Sequence, residues 1–125
     1  MLTVKTKLDN SPISGIGLFA LEDIREGQVI WKNNSGSELI ISPSAFNELS
    51  DYMQNIYKHS GYLDKVDKQW KLPLDNARFM NHAAKPNTLQ NADGDYVAVK
   101  NIWIDEELTC NYHEFDEVVG KPIGE

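Results

Sequence analysis

Residues 2–8 alternate apolar and polar side chains, the period of a strand with one face buried. Asn10-Ser11-Pro12 and Ser14-Gly15-Ile16-Gly17 carry turn chemistry. Short strands are expected at residues 18–20 and 28–31, set around a turn at Glu26-Gly27. Asn33-Asn34-Ser35-Gly36 marks another turn, and residues 38–41 a further strand. Only one helix is well marked, over about residues 43–57. Ser42 is its candidate N-cap and Pro43 suits the first helical position. Phe46, Leu49, Met53 and Ile56 then fall at helical spacing along one apolar stripe, and His59-Ser60-Gly61 ends it. Residues 58–71 are polar and mixed in charge, with Tyr62 and Trp70 as the large apolar side chains, and read as an irregular excursion. Residues 78–82 predict a single helical turn. Residues 87–91 and 95–99 predict two strands joined at Asp93-Gly94, a hairpin signal. Residues 108–112 form a last short strand, and residues 120–125 a loose tail.

Residues 20–30 and 98–108 echo one another. Ala20 and Ala98, Asp23 and Asn101, Ile24 and Ile102, and Gln28 and Glu106 recur at matching offsets. A strand, a tight loop and another strand used twice would produce this. Only two positions are identical and the unit is short, so chance is the competing reading.

A chain of 125 residues predicts a single domain, with a core over about residues 2–115 and a tail at 116–125. Hydrophobic content of 41% and charged content of 25% are globular in character. No apolar run reaches bilayer-spanning length, and the N-terminus lacks the apolar stretch of a signal peptide. A soluble, intracellular protein with no membrane partner is expected. Cys110 is the single cysteine, which excludes an intrachain disulfide and a cysteine-rich zinc cluster. Net charge is −7, from 19 acidic and 12 basic residues, and the acids concentrate toward the C-terminus at Asp105, Glu106, Glu107, Glu114, Asp116 and Glu117. Such a field repels nucleic acid and attracts basic partners. For any single charge a solubilising surface is the simpler reading.

Candidate chemistry lies in two short blocks, residues 76–87 and 105–112. They bring an amide, an imidazole and a phenol (Asn81, His82 and Tyr112) into a fixed spacing that core packing does not require. Buried amides and imidazoles cost free energy unless each donor and acceptor is paired, so such a cluster points to a site. Other constellations are weaker. Cys110 with His82 carries no local signature of a thiol nucleophile, and a lone cysteine is usually a small buried hydrophobe. His59, His82 and His113 lack metal-ligand spacing, so no metal is expected. The lysines of residues 58–71 alternate with Asp64 and Asp67 and read as a solvated loop.

These blocks resemble those of the SET domain, the fold of a large family of S-adenosylmethionine-dependent protein lysine methyltransferases. Gly15-Ile16-Gly17 with Leu18-Phe19-Ala20 resembles the family's G-x-G block. Tyr62-Leu63 resembles its tyrosine block. Arg78-Phe79-Met80-Asn81-His82 with Pro86-Asn87 resembles R-F-x-N-H-S-C-x-P-N, and Glu107-Leu108-Thr109-Cys110-Asn111-Tyr112 resembles E-L-T-x-D-Y. The last two are specific at their spacing, and the G-x-G alone is weak. The resemblance implies a mainly β, β-clip architecture of several small curved sheets. It also implies a C-terminal pseudoknot, an exception to the rule against threading.

The site it implies has Tyr112 as the catalytic phenol. The cofactor S-adenosylmethionine, released as S-adenosylhomocysteine, would be held by Gly15, Ile16, Gly17, Arg78, Asn81, His82, Tyr112 and Phe115. Arg78 would pair with the cofactor carboxylate or brace Asp75, and Phe115 would cover the adenine or join the core. Tyr62 and Cys110 would line the substrate channel, with Tyr57 a rival for Tyr62. Cys110 stands where the family carries Phe or Tyr, which implies a roomier channel and more than one methyl transfer. Asp105 stands for a usual Gly, and tolerates a left-handed turn better than most residues. The resemblance implies a lysine channel that many members complete with flanking regions, so completion by a homodimer or by the chain's own tail is expected. The expected function is protein-lysine N-methyltransfer to a basic protein segment. The alternative is a catalytically silent β-clip module that binds a peptide or protein.

Overall fold

The computed structural model describes residues 1–34 and 36–114. In chain order its strands and helices are β1 (Thr6–Asn10), β2 (Ile16–Ala20), β3 (Val29–Trp31), β4 (Glu38–Ile41), α1 (Pro43–Asn47), α2 (Asp51–Ser60), β5 (Tyr62–Leu63), β6 (Trp70–Pro73), β7 (Asn81–His82), β8 (Thr88–Gln90), β9 (Tyr96–Ala98) and β10 (Thr109–Cys110). A 3-10 turn, Asn76–Phe79, precedes β7, and another, Tyr112–Glu114, follows β10. The fold is mainly β, as the sequence predicts. Its strands form small sheets: β1 with β2, β3-β9-β8, β4-β6-β5, and a parallel pair of β7 with β10. No helix among the described residues is long and apolar enough to cross a membrane.

Several elements differ from their sequence expectation. β1 runs Thr6–Asn10 and not residues 2–8, and β2 begins at Ile16 inside the expected turn. Asn81–His82 pair as a strand after the 3-10 turn, and the last strand is confined to Thr109–Cys110, with Tyr112 in a 3-10 turn. The helical segment is in place but broken in two, because Ser50 caps a second helix just as Ser42 caps the first. The Ser42 hydroxyl accepts from Ala45 N–H at 3.1 Å, and the Ser50 hydroxyl accepts from Met53 N–H at 3.3 Å. The interruption rotates the stripe, so that Tyr57 is buried while Met53 is exposed. The stretch expected to be irregular instead holds β5 and β6. Asp64 N–H and Lys68 N–H close the turn between them, onto Gln69 O and Asp64 O at 2.9 Å each.

Strand periodicity explains how that sheet works. Trp70 and Leu72 point to one face of β6, with Ile41 and Leu63 paired opposite Trp70. That face packs on the helices through a small core of Phe46, Tyr57 and Trp70, in which the Phe46 and Trp70 rings stack at 4.1 Å. Lys71 and Pro73 point the other way, with Tyr62 paired opposite Lys71 and Glu38 opposite Pro73. The second face is thus polar and turned inward.

The internal echo is a physical pairing. Ile24 and Ile102 exchange both backbone hydrogen bonds, at 2.7 and 2.8 Å. Ala20 N–H donates to Glu106 O as Ala98 N–H donates to Gln28 O, each at 2.9 Å. Asp105 N–H donates to Ala20 O and Gly27 N–H to Ala98 O, at 2.8 and 2.7 Å. Every bond in this set has its partner under exchange of the two segments, so the two copies clasp each other about a local twofold axis. Gly27 and Asp105 occupy equivalent places, and both are left-handed, at φ +86° and +73°. Leu18, Ala20, Ile24, Ile30, Ala98, Ile102 and Leu108 fill the main core around this clasp.

The last motif is held by side chains as much as by backbone. Asn87 Nδ2 donates to Glu107 O at 2.8 Å, and its Oδ1 accepts from Thr109 N–H at 2.8 Å. Thr88 Oγ1 donates to Thr109 O at 2.7 Å, and Ala83 N–H to Cys110 O at 3.0 Å. Asn87 is buried, so truncating it leaves a carbonyl and an amide of the 107–109 segment unpaired. Asn87→Ala is expected to destabilise the protein by about 2–4 kcal/mol. In urea unfolding this would lower the midpoint without changing the slope.

Candidate functional site

Tyr112 sits where two cavities meet. One, of about 280 Å³, is lined by Ser14, Gly15, Ile16, Phe79 and Asn81, together with Arg78, Ser60 and His59. The other, of about 110 Å³, lies between the polar face of β4-β6-β5 and the β3-β9-β8 sheet. Its wall includes Glu38, Tyr62, Lys71, Tyr96, Cys110 and Trp31. Tyr112, Arg78 and Ser60 border both.

The parallel pairing of Thr109 with Asn81 and of Cys110 with His82 delivers Tyr112 to this junction. Its backbone N–H donates to His82 Nδ1 at 3.1 Å, and its hydroxyl donates to Met80 O at 2.8 Å. His82 therefore uses Nδ1 as an acceptor, and its ring lies 5.3 Å from the Tyr112 ring and 5.4 Å from that of His113. The phenol is buried, with the residue only 6% exposed.

The glycine loop is tied to this centre by a polar network. Asn81 Nδ2 donates to Glu107 Oε2 at 2.9 Å, Ser14 O at 3.0 Å and Ser11 Oγ at 3.1 Å. Ser11 Oγ in turn donates to the Glu107 carboxylate at 2.8 Å, and accepts from Ile13 N–H at 3.0 Å. Asn81 thus works as a latch on the loop as well as a lining residue. Gly15 is left-handed at φ +47°, with nothing within 4 Å of where a Cβ would stand. Gly17 is different: a Cβ there would lie 2.3 Å from Glu107 Oε2, and Gly17 borders neither cavity.

Electrostatics separate the two cavities. Burial, and next the adjacent Glu38 carboxylate, push the Tyr62 hydroxyl far above its usual range. Burial does the same to Tyr96. Both phenols therefore remain neutral at any physiological pH. Burial also raises Glu38, against the hydrogen bond that Tyr62 donates to it. Lys71 is held charged by Asp64 and Asp67, at 3.0 and 2.8 Å, which together outweigh the burial that opposes its charge. Among the described residues, Trp31 Nε1 is a buried donor with no hydrogen-bond partner, and its ring borders the smaller cavity.

Gly15, Ile16, Arg78, Asn81 and Tyr112 come together, and Tyr62 and Cys110 come to Tyr112 from the other side. Tyr57 is buried under the helices against Phe46, which leaves Tyr62 as the cavity tyrosine. His82 orients Tyr112 without lining either cavity. Arg78 braces Asp75, donating from Nη1 to its backbone carbonyl at 3.3 Å, while its guanidinium lies over the Phe79 ring. Phe115 lies outside the described residues. Lys71, expected on a solvated loop, is instead largely buried in the cavity wall, because β6 turns its polar face inward.

Glu38, Tyr96, Trp31, Ser11 and Glu107 carry no sequence expectation as site residues. A usable signal existed for Glu107 alone: it opens the E-L-T block, and a glutamate just before a buried run needs partners.

The family model for the SET domain matches residues 15–113, and the chain belongs to the SET domain family. Solved structures agree on the fold. A Plasmodium falciparum candidate histone methyltransferase superposes with a TM-score of 0.62 at 22% identity, covering 89% of this chain and 95% of that one. A humanized mutant of the Chaetomium thermophilum Polycomb Repressive Complex 2, bound to an inhibitor, gives 0.64 at 23% identity. That match covers 93% of this chain but 16% of the other. No curated protein matches the chain.

Ser11 and Asn81 anchor Glu107, so its carboxylate cannot swing away from a new methyl group without breaking their hydrogen bonds. Gly17→Ala is therefore expected to cost about 1–3 kcal/mol. In a Glu107→Ala background the cost should shrink, and a thermal-denaturation double-mutant cycle should give a coupling of about 0.5–3 kcal/mol.

Proposed function

We propose that this protein is a protein-lysine N-methyltransferase that uses S-adenosylmethionine and releases S-adenosylhomocysteine. The observation that carries this reading is the Tyr112 phenol at the junction of two cavities with different linings. One is floored by a glycine-bearing loop and backbone carbonyls. The other is walled by neutral phenols and carboxylates.

The larger cavity fits the cofactor. Gly15 leaves open space where a side chain would intrude, and Asn81 and Ser11 fix the loop that carries it. Gly15, Ile16, Arg78 and Asn81 would hold the group, which supplies a methyl on a sulfonium when bound. The smaller cavity, walled by Tyr62, Tyr96, Cys110 and Tyr112, fits the acceptor side chain.

The residues then divide the work. A lysine must lose its proton to act as a nucleophile, and its reference pKa is about 10.4. A cavity lined by Tyr62, Tyr96, Cys110 and Tyr112 removes water from the amine and favours its neutral form by desolvation. Tyr112 donates its hydrogen to Met80 O, so its oxygen would meet a polarised methyl group as an acceptor. Held by His82 and Met80, that oxygen is pre-organised, and alignment is the main contribution left to the protein.

A basic protein segment is the substrate class that complements the acidic surface and the net charge of −7. The structural neighbours named as a candidate histone methyltransferase and as part of a Polycomb complex favour a protein substrate.

Tyr112→Phe keeps the ring and loses the pre-organised oxygen. It is expected to lower kcat by about a hundredfold or more, with S-adenosylhomocysteine affinity by calorimetry nearly unchanged. Absence of wild-type binding at millimolar ligand would instead favour a silent binding module. Cys110→Phe narrows the acceptor cavity and should reduce the number of methyl groups per lysine, read by product mass spectrometry.

A further inference from the structure

The acceptor cavity contains a carboxylate whose position no requirement of packing explains. Glu38 opens β4 on its inward face, opposite Pro73. Tyr62 lies across the intervening β6 strand, opposite Lys71, and donates its hydroxyl hydrogen to Glu38 Oε2. Lys71, beside both, makes its ionic contacts with Asp64 and Asp67. The Tyr112 phenol, at the inner end of the same cavity, likewise donates to a fixed acceptor, Met80 O.

Resting on the lysine-methyltransferase reading, we propose that Glu38 is a positioning residue for the acceptor amine: by taking the hydroxyl hydrogen of Tyr62, it sets that phenol as a hydrogen-bond acceptor within the cavity. An amine nitrogen has one lone pair, and that pair must point along the line of methyl transfer. A phenol that donates to the amine occupies the lone pair and blocks attack. A phenol that accepts from an amine N–H leaves the lone pair exposed and orients it. With both Tyr62 and Tyr112 donating away, the cavity offers the amine acceptors.

The arrangement predicts a pH dependence. The charged and titratable groups facing Glu38 are Tyr62 on β5, Lys71 on β6, Asp64 in the β5–β6 turn and the N-terminal amine of Met1. Burial is the largest influence and raises Glu38; Asp64 adds to the rise, while the Tyr62 hydrogen bond, Lys71 and the N-terminus oppose it. Below its raised pKa, Glu38 is a carboxylic acid and no longer an obligate acceptor, so the Tyr62 hydrogen is released to turn into the cavity. Turnover should therefore be full above that pKa and fall as pH drops through it, at a pH above the ordinary glutamate range.

Glu38→Leu removes the acceptor, and Glu38→Gln keeps a neutral one that does not titrate. Glu38→Leu should lower kcat by about tenfold or more, the scale of a lost hydrogen bond to a charged group, with KM for a lysine peptide changed less than about threefold. Glu38→Gln should retain more activity than Glu38→Leu and lose the acid limb of the kcat profile. A downfield hydroxyl proton, identified by its absence in Tyr62→Phe, should be present in the wild type and vanish in Glu38→Leu. That readout needs no turnover. If the wild type binds S-adenosylhomocysteine and turns over, while Glu38→Leu matches its kcat or Glu38→Gln keeps its acid limb, the role of Glu38 is overturned and the function stands. If the wild type neither binds that product nor methylates, the function fails and the Glu38 role with it.

Discussion

The grip of Asn87 on the segment 107–109 is the constraint from which the site descends. Two hydrogen bonds at one buried amide side chain, reinforced by Thr88, fix the strand that leads to Tyr112 beside the strand that holds Asn81 and His82. The strands themselves are two residues long, too short to hold a parallel register through backbone bonds alone. Side-chain amides and hydroxyls supply the missing ladder. That is why a chain with a small core keeps so many buried polar residues: Asn81, His82, Asn87, Thr88 and Thr109 are the fastening.

A second fastening acts on the glycine loop. Glu107 follows Glu106 within the clasped segment, and its carboxylate reaches Ser11 and Asn81. The loop that floors the larger cavity is thereby tied to the segment that leads to Tyr112. Moving either would break a charge-assisted hydrogen bond in a partly buried setting. The twofold clasp of residues 20–30 with 98–108 lies beneath both and sets where β2 and the 105–108 segment meet. The fold thus locates the two cavities by one continuous set of polar contacts over an apolar base.

Much of this was legible in the chain, for definable reasons. Polar residues with no place in a core, such as Asn81, His82 and Tyr112, announced the junction, and Asp93-Gly94 announced its hairpin. The echo was visible, but its meaning required three dimensions, since pairing between copies cannot be distinguished from coincidence in eleven positions. Residues 58–71 misled because periodicity assumes that a polar face meets water. In β6 the polar face of Lys71 meets a cavity, so a half-buried strand looks like a loop. Gly17 illustrates the same limit: sequence marks a position that tolerates no side chain, but not whether a ligand or the chain's own Glu107 fills the space.

The two cavities also show why their separation matters chemically. A sulfonium and an ammonium repel, so a site that holds both must tolerate like charge or discharge one partner. If the smaller cavity takes the acceptor lysine as proposed, it joins desolvation, which disfavours the ammonium, to carboxylates at Glu38 and Asp64, which favour it. These influences act on different atoms. Asp64 is already matched to Lys71, and Glu38 keeps its charge while accepting the Tyr62 hydrogen. The phenols between them stay neutral because burial holds their hydrogens on. The wall therefore attracts a cation at long range and, at contact, presents neutral oxygen. On the proposed reading, a lysine would be drawn in charged and held uncharged by the same set of side chains.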